Sequence, residues 1–416
     1  MSKHPPIEVC MAFEGETHLV GRLAFTDGRR QPNARFTYDD SWLLRPGAFS
    51  IDPDAPLTQG THFPSNAEFF RGIGDSAPDK WGRSIMQRRE LRRAKHAGER
   101  ARTLFEHDYL MGVADLPRMG GIRFRYEGSE IFEKPLDGEG VPTLIALQGL
   151  YEAAGRIERG EETDEDISLL FCQGSSLGGA RPKASICLDT GELCIAKFPK
   201  EADDYSIERW ESVALTLAEM AGLSVSQHRL VQVLGRNVLL SIRFDRDGQR
   251  RIPFMSAMAR LQANDGESGS YLELVDDIAQ NSNHAKRDRV ELFKRVAFNV
   301  LISNVDDHLR NHGFLHVDGG WSLSPLYDVN PTPPVVKARV LTTAIDESYR
   351  HCDIDIVLDT AEFYGLSAKD AKAIVKEVAE ATAQWKTVAT RKGAPESELR
   401  LMEVAFEHDD LDKALA

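Results

Sequence analysis

Ten residues, NVDDHLRNHG at 304–313, concentrate side chains that carry protons or bind metals. Asp306 and Asp307 stand side by side, His308 and His312 follow, and asparagines occupy both flanks. Such a run can be a metal site, a proton-transfer site or a polar turn. Asp306 and Asn311 form D-x-x-x-x-N, and Asp328 follows in PLYDVN after a short apolar run. Phosphoryl transfer uses this set. A carboxylate accepts the proton of the acceptor hydroxyl, and an asparagine with a later aspartate supplies hard oxygens for Mg2+ on the ATP phosphates. The spacing alone arises easily by chance, so its weight depends on what precedes it.

A rival reading uses the histidines. His308, His312 and His316 are spaced by four, which on one helix face would suit zinc. Gly313 and the strand-like GFLHV break any such helix. His308 reads better as a hydrogen-bond partner that orders the loop, and Asp307 as a supporting acid or a solvated one.

Two upstream features add to the Asp/Asn set. GSSLGGARPKAS (174–185) has the glycines to let backbone N–H groups approach phosphate. Gly174 and Gly179 have P-loop spacing, but Ala180 stands where the motif needs lysine and a strand follows, which excludes a Walker-type NTPase. A purely structural turn stays open. Lys197 sits in the apolar run LCIAKFPK, where its ammonium needs an anion or a route to water. Glu208, Glu211 and Glu219 on the next helix are candidate partners. The order is then glycine-rich turn, strand lysine, helix glutamate, Asp/Asn loop and metal aspartate, as in protein kinases.

The elements that must position these residues can be read from periodicity. HLVGRLAF and ARFTYD alternate as strands, and GIRFRYEG resembles another strand. GIGDSAPDKWGRSIMQRRELRR begins as a turn and becomes a helix. The acidic RIERGEETDEDIS (156–168) reads as a linker and domain boundary. KASICLD and LCIAKFP form a strand pair around TGE. SIERWESVALTLAEMAGL is a helix capped by Ser206 and ended by Gly222. VQVLGRNVLLSIRFDR is a strand pair, RDRVELFKRVAFNVLISN a largely buried helix, and GFLHVDGGWSLSPLYDVN two short strands. SAKDAKAIVKEVAEATAQW is an amphipathic helix capped by Ser367. Beyond residue 170 the pattern is a small β-rich lobe followed by a helical one.

The 416 residues are 42% hydrophobic and 28% charged, a soluble globular composition. The net charge of −14 argues against a broad nucleic-acid footprint. The cationic stretch at 83–102 leaves open a local acidic or nucleic-acid partner, or simply a solvated helix face. Five widely spaced cysteines (10, 172, 187, 194 and 352) with no CxxC fit reduced thiols. No run approaches the roughly 20 apolar residues of a membrane helix. The N-terminus lacks the apolar core of a signal peptide, so a cytoplasmic location is expected.

The segments SSLGGARPKAS, CIAKFPK, WESVALTLAEMAGL, SIRFDR, NVDDHLRNHGFL and LSPLYDV together resemble HipA, the serine/threonine kinase toxin family of bacterial toxin–antitoxin systems. GIGDSAPDKWGR and LMGVADLPRMGGIRF are similar to segments preceding the kinase core in that family. The resemblance implies an α+β, two-lobed protein-kinase-like fold with an additional N-terminal α/β subdomain. Its divisions would be 1–110 for the subdomain, 111–285 for linker and nucleotide-binding lobe, and 286–416 for the helical catalytic lobe.

It also implies roles. Asp306 would be the base, and Asn311 and Asp328 the Mg2+ ligands. Lys197 would contact ATP, with Glu211 as its helix partner. Gly178, Gly179, Ala180 and Lys183 would form the phosphate loop, Arg243 and Phe244 the adenine hinge, and His308 would join the nucleotide-binding set. Ser176, or its neighbour Ser175, would be autophosphorylated. The implied partners are a small helix-turn-helix, HipB-like antitoxin that supplies the DNA contacts, and a protein substrate of the translation machinery such as an aminoacyl-tRNA synthetase. A kinase-shaped binding module within a repressor complex is the alternative. The chain departs from the family at Asp307, where glycine is expected, at Ile242, where an acid is expected at the hinge, and in the acidic segment before residue 170.

Overall fold

The computed structural model describes residues 5–26, 33–132, 141–171, 179–267 and 269–416. Cys172, Ser175, Ser176 and Gly178 lie outside the described residues. Contacts divide the chain into two units. The first holds residues 1–201, 233–236 and 245–255, and the second 202–232, 237–244 and 256–416.

In the first unit the antiparallel strands are β1 (Ile7–Phe13), buried along nearly its whole length, β2 (Glu16–Thr26) and β3 (Asn33–Tyr38), whose side chains alternate exposed and buried. With the short β4 (Thr61–His62) and β5 (Ile122–Tyr126) they form one sheet in the order β4-β3-β2-β1-β5. Ile7, Val9, Leu23, Phe36 and Phe124 are buried on it. The helix Lys80–Ala97 starts where Asp79 accepts the N–H of Gly82 and stops at Gly98, whose φ of 65° is the left-handed value that favours glycine.

The acidic segment expected as a linker is instead structured. It lies in the helices Leu147–Arg159 and Asp164–Phe171. The reason is electrostatic as well as apolar. Ile157, Ile167 and Leu170 are buried, while Glu162 and Asp164 pair with Arg88 and Arg92 of the cationic helix at 2.9 and 3.0 Å. Other arginines of that stretch are also paired: Arg83 with Glu106, Arg93 with Glu90, and Arg102 with Asp108. The cationic run is thus largely neutralised within its own unit. The antiparallel hairpin of β6 (Lys183–Cys187) and β7 (Leu193–Lys197) also lies in this unit.

The second unit is mainly helical. Ser206 caps Ile207–Met220, which buries Trp210, Val213, Ala214 and Leu217. The adjacent strands β8 (His228–Val233) and β9 (Arg236–Ile242) follow. Ser270 and Glu273 form a capping box on Tyr271–Asn281. Ala285–Leu301 buries Leu292, Phe293, Val296, Ala297, Phe298, Val300 and Leu301, as its apolar excess predicts. It delivers the chain directly to the Asp/Asn loop. Trp210, Trp385 and Phe406 pack together, the last two stacked at 5.0 Å, and join the cluster around that helix.

Candidate functional site

The Asp/Asn loop is held by its backbone and by one inward-facing acid. Ser303 turns the chain with φ 55°, and Asn304 folds back onto Asn299 through main-chain and side-chain bonds, both 2.9 Å. Asp307, only 1% exposed, accepts three hydrogen bonds on one carboxylate oxygen. They come from Tyr271 Oη at 2.6 Å, Asn299 Nδ2 at 2.8 Å and His312 Nε2 at 2.8 Å. Thr343 Oγ1 donates to the Asp307 carbonyl at 2.7 Å. Burial pushes this carboxyl up, but the His312 charge and the bonds from His312 and Tyr271 outweigh it and hold it below the ordinary range. Burial first, and then the contact with Asp307, push the Tyr271 hydroxyl well up. A solvated Asp307 is therefore ruled out, and its carboxylate points into the core.

The turn at Val305 and Asp306 sends the Asp306 side chain the opposite way. Its side chain is 71% exposed and meets Lys337 Nζ at 3.4 Å. The Asn311 side-chain amide donates to the main-chain carbonyls of Asp306 at 3.3 Å and Asp328 at 3.5 Å, long bonds that nonetheless bring all three residues to one place. Asp328 itself has φ 57°, a strained value for a residue with a Cβ. Tyr327 locks it from the other side: its hydroxyl donates to the Arg310 carbonyl at 2.6 Å, and its ring lies 5.2 Å from that of Phe244. Arg243 is buried and Phe244 half-buried.

The donors here suit a hard cation. Asn311 directs its amide N–H groups at carbonyls, which leaves Oδ1 for a ligand, and Asp328 supplies a carboxylate. Asn330 Oδ1 is buried with no hydrogen-bond partner among the described residues. Mg2+ takes one or two protein oxygens plus phosphates and water, so this set fits it. A histidine zinc site does not form. His312 is committed to Asp307, and His316 packs edge-on against Trp321. Among the described residues no three His, Cys, Asp or Glu side chains converge. The Nδ1 of His308 is buried and unpartnered among those residues, not engaged in an ordering bond.

In the first unit, Gly179, Ala180 and Lys183 lie together at the entry to β6, and Lys197 ends β7 directly opposite Lys183. Lys183 Nζ is 2.9 Å from Asp79, and both side chains are buried. In the second unit Glu208 and Glu211 are buried and Glu219 is exposed. Periodicity did not single out Asp79, Tyr271, Asn299, Asn330 or Lys337. Asp79 alone had a visible signal, as a capping acid before the helical KWGRSIM.

The HipA-like C-terminal domain model matches residues 175–385, just over half of the chain. The chain belongs to the HipA family. A Haemophilus influenzae protein named "Putative kinase" is 24% identical over 198 residues, covering 41% of this HipA-family chain and 57% of that protein. A Sinorhizobium fredii protein named "Putative kinase Y4mE" is 27% identical over 184 residues, covering 38% and 42%. The chain thus spans about half the length of the curated relatives it matches. HipA of Shewanella oneidensis MR-1, solved with HipB and operator DNA, aligns over 98% of this chain and 96% of its own with a TM-score of 0.70 at 18% identity. That similarity establishes the HipA, kinase-like fold. Among the described residues, no helix is long and apolar enough to cross a membrane.

Proposed function

We propose that this chain is an ATP- and Mg2+-dependent serine/threonine protein kinase of the toxin–antitoxin type. One observation carries the reading: Asn311 ties Asp306 to Asp328, the three residue types that phosphoryl transfer needs, in one loop cluster. Asp306, exposed and outside the buried acid cluster, would accept the proton of the acceptor hydroxyl. Asn311 and Asp328 would hold Mg2+, which when bound offsets phosphate charge. Lys197, with Glu211 as partner, would orient the phosphates. Gly178, Gly179, Ala180 and Lys183 would line them, Arg243 and Phe244 would seat the adenine through backbone, and His308 would add a contact. Most of the rate would come from positioning and charge neutralisation.

The substrate proposed is a cytoplasmic protein of the translation machinery, with self-phosphorylation at Ser176 or Ser175. The inhibitory partner proposed is a small helix-turn-helix antitoxin that brings the DNA contacts, in keeping with the company of the Shewanella protein. Incubation with labelled ATP and Mg2+, followed by site mapping, tests the enzyme. Label on Ser175 or Ser176 supports it. A chain that binds its antitoxin but transfers no phosphate would be the binding module instead.

A further inference from the structure

The segment GDSAPDKWGR, residues 74–83, plays no part in the site proposed above, yet it grips one edge of it. Lys183 Nζ lies 2.9 Å from Asp79 Oδ2, with the side chains 5% and 2% exposed. The Trp81 indole N–H donates to the Lys183 carbonyl at 3.1 Å, and the Trp81 backbone N–H to the Gly179 carbonyl at 3.4 Å. Asp79 Oδ1 accepts from Gly82 N at 2.8 Å and so caps the same helix. One helix start therefore holds both ends of the 179–183 segment.

Charge explains why the grip needs an acid. Strand register sets Lys183 directly opposite Lys197, and residues opposed in this way project from one face of the hairpin. Two ammonium groups arising there repel each other, and one of them is buried. Asp79 neutralises the buried one. Gly179 has φ 111°, and a Cβ on it would stand 3.1 Å from Lys183 Nζ, so the backbone path and the lysine position depend on each other.

We infer that Asp79 and Trp81 are positioning residues for the phosphate-binding segment, acting through Lys183 and the Gly179 carbonyl. The inference rests on the kinase reading. It fixes a sign. If Asp79 merely held Lys183 away from phosphate, removing its charge would tighten ATP binding. If it positions the segment, removal weakens binding.

The test is steady-state kinetics of phosphate transfer from Mg·ATP by the full chain, with melting temperatures in parallel. Asp79→Asn keeps a good cap and removes the charge, so the KM for ATP should rise about tenfold or more, as loss of one partner of a buried pair implies. Turnover at saturating ATP should fall far less. Trp81→Phe keeps the ion pair and an aromatic ring but loses the five-membered ring with its N–H donor, and should raise KM about threefold to tenfold, the scale of one hydrogen bond. It carries the test if Asp79→Asn does not fold. An unchanged or lower KM in the folded variants, with an active parent chain, overturns the positioning role alone. A parent chain without transfer overturns the kinase reading and this inference with it.

Discussion

The Asp307 carboxylate meets His312 Nε2 at 2.8 Å with both side chains buried. This pair, reinforced by Tyr271 and Asn299, anchors the loop whose outward side chain is Asp306. Replacing Asp307 by Asn leaves His312 facing a neutral amide in the core. The variant should lose about 3–5 kcal/mol of stability, as when one partner of a buried pair is removed. Chemical denaturation at neutral pH checks this.

The pair also sets an acid dependence. The Asp307 carboxyl is lowered from its ordinary 3.8, so its contribution is complete above that pH and drains away as pH falls through the lower folded value. Denaturation curves from pH 5 downward should show this loss in the parent chain. In Asp307→Asn that component should be absent.

Much of this region was legible from residue order. Asp306, Asn311 and Asp328 stood out by spacing, and the buried helix before them by its apolar excess. Asp307 was not, because neighbouring aspartates look identical until the turn at 305–306 points one outward and one inward. Tyr271 and Asn299 lie 36 and 8 residues from Asp307, and nothing in local periodicity links them to it. The acidic segment at 156–168 misled for a related reason. A charge run reads as solvated linker unless its counter-charges, here Arg88 and Arg92 some 70 residues earlier, are known to lie against it.

Asp328 combines a proposed metal role with a left-handed backbone. Glycine accepts φ 57° without the Cβ penalty, so Asp328→Gly should be more stable than Asp328→Ala by about 1 kcal/mol. Both should lose Mg2+-dependent ATP affinity by about 100-fold or more, the scale of a missing charged metal ligand. Calorimetric titration of ATP with Mg2+ and with a chelator checks both parts. Retained metal-dependent affinity in the glycine variant would remove Asp328 from the site.

The arginines of the Lys80–Ala97 helix are largely paired with acids, and the chain carries a net charge of −14. Without an antitoxin, the purified chain should bind duplex DNA more weakly than about 10⁻⁴ M at physiological salt, below typical non-specific binders. Fluorescence anisotropy on a labelled duplex, across a salt series, provides the check.

In the proposed reaction Asp306 takes the acceptor proton while other residues hold the nucleotide. Asp306→Gln removes the base and puts a neutral amide, one methylene longer, in its place. Parallel incubation of parent and variant with labelled ATP and Mg2+, read by mass spectrometry at Ser175 and Ser176 and by ATP titration, measures this directly. The expected result is label on the parent chain, a loss of about 100-fold or more in the variant, and ATP affinity little changed. Near-parental labelling by Asp306→Gln would contradict it.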